Sequence, residues 1–323
     1  MGDVARGERT DPTDQPRPTL LEGLVFGGPG VDRDADRRSD DALLPGLLVD
    51  PSTAVLDCRG GRFRVVDGSL GFRPPQADDV GRLGVYLGRT RAVAGGTNTA
   101  YVGIVDPSGP TDVGDWHGVR SMAAGLGTVD ASLVATLSAL ANWHGVHGFC
   151  SRCGAETVPT QSGWSRRCPA DGSEHFPRTD PAVIMAVVDD DDRILLARGS
   201  GFTTTGMSVL AGFLEPGETL TAAVTREVAE EVGVEVDRVE YLGDQPWPFP
   251  SGLMVGFRAH ARTTDLRPQP GEIEAARWFD RETLLRDIEA ERVHIPQRLS
   301  IARALIEHWF GGPLAAPDLP LRR

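Results

Sequence analysis

The sequence predicts an α+β protein: a small α+β domain in front, a short ribbon-like insert, and an α/β stretch behind. Three observations carry this reading. Short β-rich apolar runs alternate with turn signals on both sides of the insert. Helical periodicity is confined to a few stretches with caps or stops. Three of the four cysteines, Cys150, Cys153 and Cys168, are grouped between the two stretches, and Cys58 stands apart. At 323 residues with 40% hydrophobic side chains, the chain is long enough for more than one core.

Residues 1–40 are rich in proline and charge, which predicts a loosely ordered lead-in, within which the apolar run from Leu20 to Phe26 is able to dock. The first domain is placed at 41–145. Its strands are read at Ala54–Asp57, Arg62–Val66, Gly84–Gly88 and Ala100–Val105, and a helix at Asp130–Trp143 behind Asp130 as cap. The insert occupies 146–178. The second domain, 179–312, opens with strands at Ala182–Val188 and Arg193–Arg198 around the charged turn Asp189–Asp192, an expected hairpin. A helix over Thr219–Val232, a strand at Leu253–Ala261 and a closing helix at Ser300–Trp309 follow, and 313–323 reads as a tail.

The chain has 46 acidic residues against 33 basic ones, all arginine, for a net charge of −13. That balance argues against a general polyanion binder and disfavours an anionic membrane surface. No apolar run reaches the length of a membrane helix and the first thirty residues lack a signal pattern, so the expectation is a soluble cytoplasmic protein without a membrane partner.

Cys150-x2-Cys153, with fourteen residues before Cys168, has the spacing of paired zinc knuckles. A cysteine at 171 would complete the second knuckle, but Asp171 stands there. The fourth ligand is left open between the carboxylate of Asp171 and the imidazole of His175. Zinc held this way is structural, because a closed four-ligand site has no open position.

The most informative stretch is Gly212–Val234. Pro216 and Gly217 make a turn, Glu218 sits near a helix start, and Gly233 suits the helix stop. Glu227, Glu230 and Glu231 share one helical face, while Leu220, Ala223, Val224, Val228 and Val232 form the opposing apolar stripe. Like charges at this spacing repel unless a cation fills them, and hard oxygen donors suit Mg2+ or Mn2+.

The full pattern, Gly-x5-Glu-x7-Arg-Glu-Val-x-Glu-Glu-x-Gly-Val, matches the Nudix box at every fixed position. The chain therefore resembles a Nudix hydrolase, which implies an α/β/α sandwich with a mixed sheet and cleavage of a nucleoside diphosphate linked to another moiety. Gln245-Pro-Trp-Pro-Phe-Pro-Ser, with Asp244 where serine is usual, resembles the signature of the NADH pyrophosphatase subfamily. Phe176-Pro-Arg-Thr-Asp-Pro181 and Glu272-Ile-Glu-Ala-Ala-Arg-Trp-Phe resemble two further subfamily motifs, and a zinc ribbon precedes the domain there too. The likeness covers roughly residues 110–310.

The resemblance implies Glu227, Glu231 and Glu272 as ligands of catalytic Mg2+ or Mn2+, with the backbone carbonyl of Ala211. Glu230 would be a further ligand or the base, and Arg226 would orient a neighbouring glutamate. Phe176, Gln245, Pro246, Trp247, Pro248, Phe249, Pro250, Ser251, Gly252 and Ala302 would line the dinucleotide pocket, and Arg120 would reach the substrate. The stiff proline-aromatic run presents flat surfaces for ring stacking. The implied reaction is hydrolysis of NADH or NAD+ to NMNH or NMN and AMP by a homodimer. Removal of a 5′ NAD cap from RNA at the same site is the alternative. A non-catalytic nucleotide sensor is a third reading, disfavoured because every glutamate of the box is present.

Overall fold

The computed structural model describes residues 20–28, 30–90, 98–110, 112, 114–201 and 203–315. The first domain contains strands β1 (Ala54–Arg59), β2 (Arg62–Val66), β3 (Ser69–Leu70), β4 (Phe72–Arg73), β5 (Leu83–Arg89), β6 (Ala100–Asp106) and β7 (Trp116–Gly118), with helices α1 (Leu43–Leu47), α2 (Val119–Met122) and α3 (Thr128–Val146). The strands form one sheet in the order β3-β2-β1-β6-β5, with β4 paired to β1 and β7 to β2; only β1 and β6 run parallel. Alternation along β1 and β6 gives the sheet two apolar faces. Leu56 and Cys58 point to α3, while Val55, Val102 and Ile104 meet leucines in and beside α1.

The insert is a three-stranded sheet in the order β10-β9-β8, from β8 (Val158–Thr160), β9 (Ser165–Arg167) and β10 (Glu174–His175). It is fastened to α3 by a buried pair. Arg166 Nη1 lies 3.0 Å from His144 Nδ1, and His144 Nε2 lies 2.9 Å from Gly163 O. That arrangement requires a neutral imidazole, with Nδ1 accepting and Nε2 donating, and burial holds the His144 pKa down at about 4.

The second domain contains β11 (Asp180–Val188), β12 (Ile194–Gly199), β13 (Leu210–Phe213), α4 (Leu220–Val232), β14 (Val236–Trp247), β15 (Gly252–Ala261), β16 (Ile273–Phe279), α5 (Arg281–Glu289) and α6 (Ile301–Phe310). Its mixed sheet has the order β14-β15-β11-β12-β16, with β13 beside β11 and the β11–β15 pair parallel. The continuous apolar run of β11 is explained by burial on both faces. Val183, Met185 and Val187 pack towards α4, while Ile184, Ala186 and Val188 pack towards α5 and α6. Ala223, Val224, Val228 and Val232 of α4 are fully buried, and each valine stabilises the layer by about 1.5–3 kcal/mol. Thr219 caps α4 by accepting from Ala222 N at 3.2 Å, and Gly233 ends it at φ +73°.

Three expectations need correction. Asp130 is not the cap of α3; the helix starts at Thr128 with Gly127 as cap, so Asp130 lies inside the first turn. The lead-in is not loose over 20–28 and 30–40, where the apolar run docks as it was able to: Leu21 N donates to Leu242 O at 2.8 Å, Phe26 is buried in the first core, and Asp32 bridges to Arg89; residues 1–19 and 29 lie outside the described residues. The expected tail begins as core, because Leu314 is 1% exposed and its carbonyl accepts from the buried Arg303; residues 316–323 lie outside the described residues. Among the described residues no helix is long and apolar enough to cross a membrane.

Candidate active site

Strand β13 runs beside α4 and brings backbone against its acidic face. A Cβ on Gly212 would sit 1.9 Å from Glu227 Cδ, so glycine is what lets that carboxylate lie against the strand. Arg226 organises one side of the cluster. Its Nε and Nη2 donate to Glu218 at 2.9 and 3.0 Å, Nη1 donates to Glu227 at 2.8 Å and Glu230 at 3.1 Å, and Nη2 also donates to Phe213 O at 2.9 Å. The three carboxylates hold its pKa above the ordinary arginine value.

Glu231 is left out of that arrangement. Its Oε2 is buried and has no hydrogen-bond partner. Burial first, then repulsion from Glu227 and Glu272, pushes its pKa up to about 7. Glu272 reaches the cluster by backbone docking of the segment before β16. Arg267 N donates to Val232 O and Gln269 N to Glu231 O, each at 2.8 Å, which ties that segment to the end of α4. Glu227 and Glu231, one turn apart on α4, thus lie near enough to Glu272 for their charges to repel, although among the described residues only the ribbon's ligand atoms converge to within 4.8 Å. An orphaned carboxylate oxygen between two like charges is what a hard divalent cation would satisfy, so the donor set fits Mg2+ or Mn2+.

A cavity of about 380 Å3 opens beside this cluster, with Ala211 and Glu231 at one end and Trp247, Ala302 and Arg120 among its walls. Ser208, Ile273, Gln297 and Ser300 also line it, and none of these four was singled out by sequence reasoning. The proline-aromatic segment divides its labour. Trp247 faces this cavity, Trp247 and Phe249 meet edge-on at 5.1 Å, and the Arg120 guanidinium lies 4.5 Å from the Phe249 ring centre. Asn142 of α3 donates to the carbonyls of Pro248 and Pro250 at 3.2 and 2.9 Å, fixing the loop from the first domain. Pro246, Pro248, Ser251 and Gly252 line a separate cleft of about 240 Å3 that shares Trp247, and Ser251 Oγ donates to Asp180 at 2.8 Å.

Of the residues expected at the pocket, only Trp247, Ala302 and Arg120 line this cavity; Phe249 lines a further groove with Arg120, and Pro250, Gln245 and Phe176 line none of these spaces. Gln245 is fully buried: its Nε2 donates to Val25 O at 2.6 Å and Leu299 O at 2.8 Å, and its Oε1 accepts from Ile301 N at 2.8 Å. Its side chain is a clamp between the lead-in and α6, not a group turned to the cavity. Phe176 is 66% exposed and lines none of these cavities.

In the insert, two knuckles have the same backbone design. Gly154 N returns to Cys150 O and Gly172 N to Cys168 O, both at 2.9 Å, with Gly154 and Gly172 at φ +75° and +73°. The ligand atoms of Cys150, Cys153, Cys168 and Asp171 all lie within 4.8 Å of one another, and the Cys153 and Cys168 sulfurs are 3.5 Å apart. That matches four donors around a zinc ion at bond lengths of about 2.0–2.3 Å. Asp171 is the fourth member of the group, while His175 stands behind it, 3.2 Å from Ser173 Oγ. The Ser173 hydroxyl pulls the Cys150 pKa down to about 6, and burial pushes that of Cys168 up to about 11.

The NUDIX domain profile matches residues 178–299, and the NADH pyrophosphatase zinc ribbon domain profile matches residues 147–176. The NAD-capped RNA hydrolase NudC of Mycobacterium bovis (strain BCG / Pasteur 1173P2) is 39% identical over 302 residues, covering 87% of this chain and 92% of that relative. The chain belongs to the Nudix hydrolases. This Nudix hydrolase is also 37% identical over 211 residues to the NAD-capped RNA hydrolase NudC of Stutzerimonas stutzeri, covering 65% of this chain and 73% of that relative. A solved NUDIX hydrolase from Nitrosomonas europaea aligns with a TM-score of 0.41 at 24% identity, covering 51% of this chain and 94% of that one.

Proposed function

We propose that this Nudix hydrolase cleaves the pyrophosphate of NADH or NAD+ to NMNH or NMN and AMP. The observation that carries the reading is the buried, unpartnered Glu231 Oε2, set between Glu227 and Glu272 at the end of a cavity walled by Trp247. Glu227, Glu231, Glu272 and the carbonyl of Ala211 would hold Mg2+ or Mn2+, which supplies charge neutralisation for the pyrophosphate oxygens and acidifies water. Glu230, more than half exposed, is a further ligand or accepts the proton of the water that attacks phosphorus on the adenosine side. Arg226 holds Glu227 and Glu230 in register. Trp247 supplies a ring face for stacking, and Ala302 leaves room at the start of α6. The ribbon holds zinc as a structural ion. Val146, Phe149, Val158 and Phe176 expose apolar surface along the insert, which supports a homodimer, testable by sedimentation.

Glu231→Gln removes the charge while keeping the shape, and kcat on NADH should fall by about 10^2- to 10^4-fold with circular dichroism unchanged. Manganese binding followed by electron paramagnetic resonance should weaken in parallel. Wild-type turnover by this variant sinks the assignment. Products from NADH, NAD+, ADP-ribose and diadenosine substrates should show preferred release of NMNH or NMN with AMP, and cleavage of ADP-ribose alone would refute the substrate.

NAD-capped RNA is the second reading for the same site, supported by the likeness to proteins named for that activity.

A further inference from the structure

Arg303 of α6 is 1% exposed, a cation buried outside the glutamate cluster. Its carboxylate partner is Glu307, one turn further along the helix, whose Oε1 accepts from Nε at 2.7 Å. The other two nitrogens are spent on backbone: Nη1 donates to Pro296 O at 3.3 Å, and Nη2 donates to Leu314 O. Glu307 Oε1 also accepts from Leu314 N at 2.9 Å, so the pair grips Leu314 by both its amide and its carbonyl. Three stretches of chain, at Pro296, Glu307 and Leu314, thus meet on one guanidinium plane.

Pro296 begins a wall of the catalytic cavity that continues through Gln297, Ser300, Ile301 and Ala302. Residues 290–300 belong to no helix or strand, so no ladder of backbone bonds sets the approach to that wall. One end is held by Gln245, whose Oε1 accepts from Ile301 N, and the other by Arg303 on Pro296 O. A buried ion pair is a poor source of stability, because desolvating both charges offsets their attraction and apolar side chains of similar volume often do as well. What an apolar side chain lacks is direction. A planar fork of donors fixes each acceptor at a set angle, which packing alone does not do.

We infer that Arg303 is a positioning residue for the reaction, holding the 296–302 wall of the cavity in the place where substrate meets it. The inference rests on that cavity being the substrate site, and not on which dinucleotide fills it. The wall carries none of the glutamates, so shifting it weakens the grip on substrate and leaves the chemistry at the cage unchanged. Lost binding of that kind raises KM at constant kcat.

The test measures KM, kcat, manganese affinity by electron paramagnetic resonance and the melting curve for the full-length enzyme on NADH. Arg303→Met keeps the apolar stem and removes the fork. It should raise KM by about tenfold, the cost of a wall displaced by a fraction of an ångström, with kcat and manganese affinity within about twofold of wild type. Glu307→Gln keeps the acceptor oxygen for Arg303 and Leu314 and removes only the charge, so KM should stay at the wild-type value. Arg303→Lys keeps the cation without the planar fork and should raise KM by about threefold; it decides the matter where Arg303→Met does not fold. A folded Arg303 variant with wild-type KM overturns the inference, whatever its melting temperature, because that is the behaviour of a purely structural residue. A joint fall in kcat and manganese affinity overturns it too, by placing the influence of Arg303 at the cage, as does a Glu307→Gln variant that raises KM as far as Arg303→Met. A wild type inactive on NADH and NAD+ but active on another nucleoside diphosphate defeats the dinucleotide reading alone, and the same KM comparison on that substrate then decides the role of Arg303.

Discussion

The ribbon and the acidic helix both crowd anionic donors into a few ångströms, and they resolve the crowding in opposite ways. In the ribbon, each donor is answered from within: Asp171 receives Ser173 N at 2.9 Å, Cys150 receives Arg152 N at 3.4 Å, and the two knuckles close around one point. On α4, Arg226 gathers Glu218, Glu227 and Glu230 on one flank and leaves Glu231 bare on the other, facing the cavity. On the function proposed above, the difference separates a site that would hold an ion from one that would use it. Sulfur donors with no open position suit a resident zinc, and oxygen donors with an unmet demand suit a cation that also meets substrate.

This contrast predicts separable failures. The largest effect belongs to Cys168→Ser, which removes one of the thiolates of a closed site whose zinc binding is coupled to folding. Elemental analysis should find zinc lost and the melting curve should show an early transition from the insert, while NADH turnover at low temperature persists. Retention of stoichiometric zinc would dissolve the ribbon half of the comparison. Acidification comes next. The folded pKa of His144, about 4, lies below its ordinary 6.5, so its contribution is complete above pH 6.5 and is lost as pH falls towards 4, by about 3 kcal/mol in all. Because His144 fastens Arg166 and Gly163, protection against hydrogen exchange in the ribbon, taken relative to the unstructured rate at each pH, should fall over that range before protection in α4 does; simultaneous loss would mean that the two units melt as one. The smallest effect is Gly212→Ala. The added methyl must displace the Glu227 carboxylate, the mobile end of a side chain, so stability should hardly change while kcat falls by about tenfold to a hundredfold. An unchanged kcat would show that Glu227 need not lie against β13.

What was legible beforehand follows the range of the interactions. The shared face of Glu227, Glu230 and Glu231, the cap at Thr219 and the stop at Gly233 are local consequences of helical spacing. So is the two-sided burial of β11, written in its unbroken apolar run. The docking of residues 267–269 onto α4 leaves no mark in side-chain pattern, because it is made by backbone groups distant in sequence. Helix α5 was not expected: its nine residues carry few apolar side chains, and Leu284 and Ile288 alone supply the buried apolar side. Asp130 misled because an acidic residue suits a cap and a first turn equally well, and only the extended backbone of Gly127 decides between them. Gln245 was read from its motif as a pocket residue, since nothing local shows that its amide is spent on three backbone groups from elsewhere.

That amide links the first described residues to the catalytic half. One of its hydrogens goes to Val25 and the other to Leu299, just before the helix whose Ala302 walls the cavity. A chain beginning after residue 26 would strand the first hydrogen in a dry interior and loosen the footing of the second. Wear at the beginning of the polypeptide would then be felt as imprecision some 220 residues away in sequence.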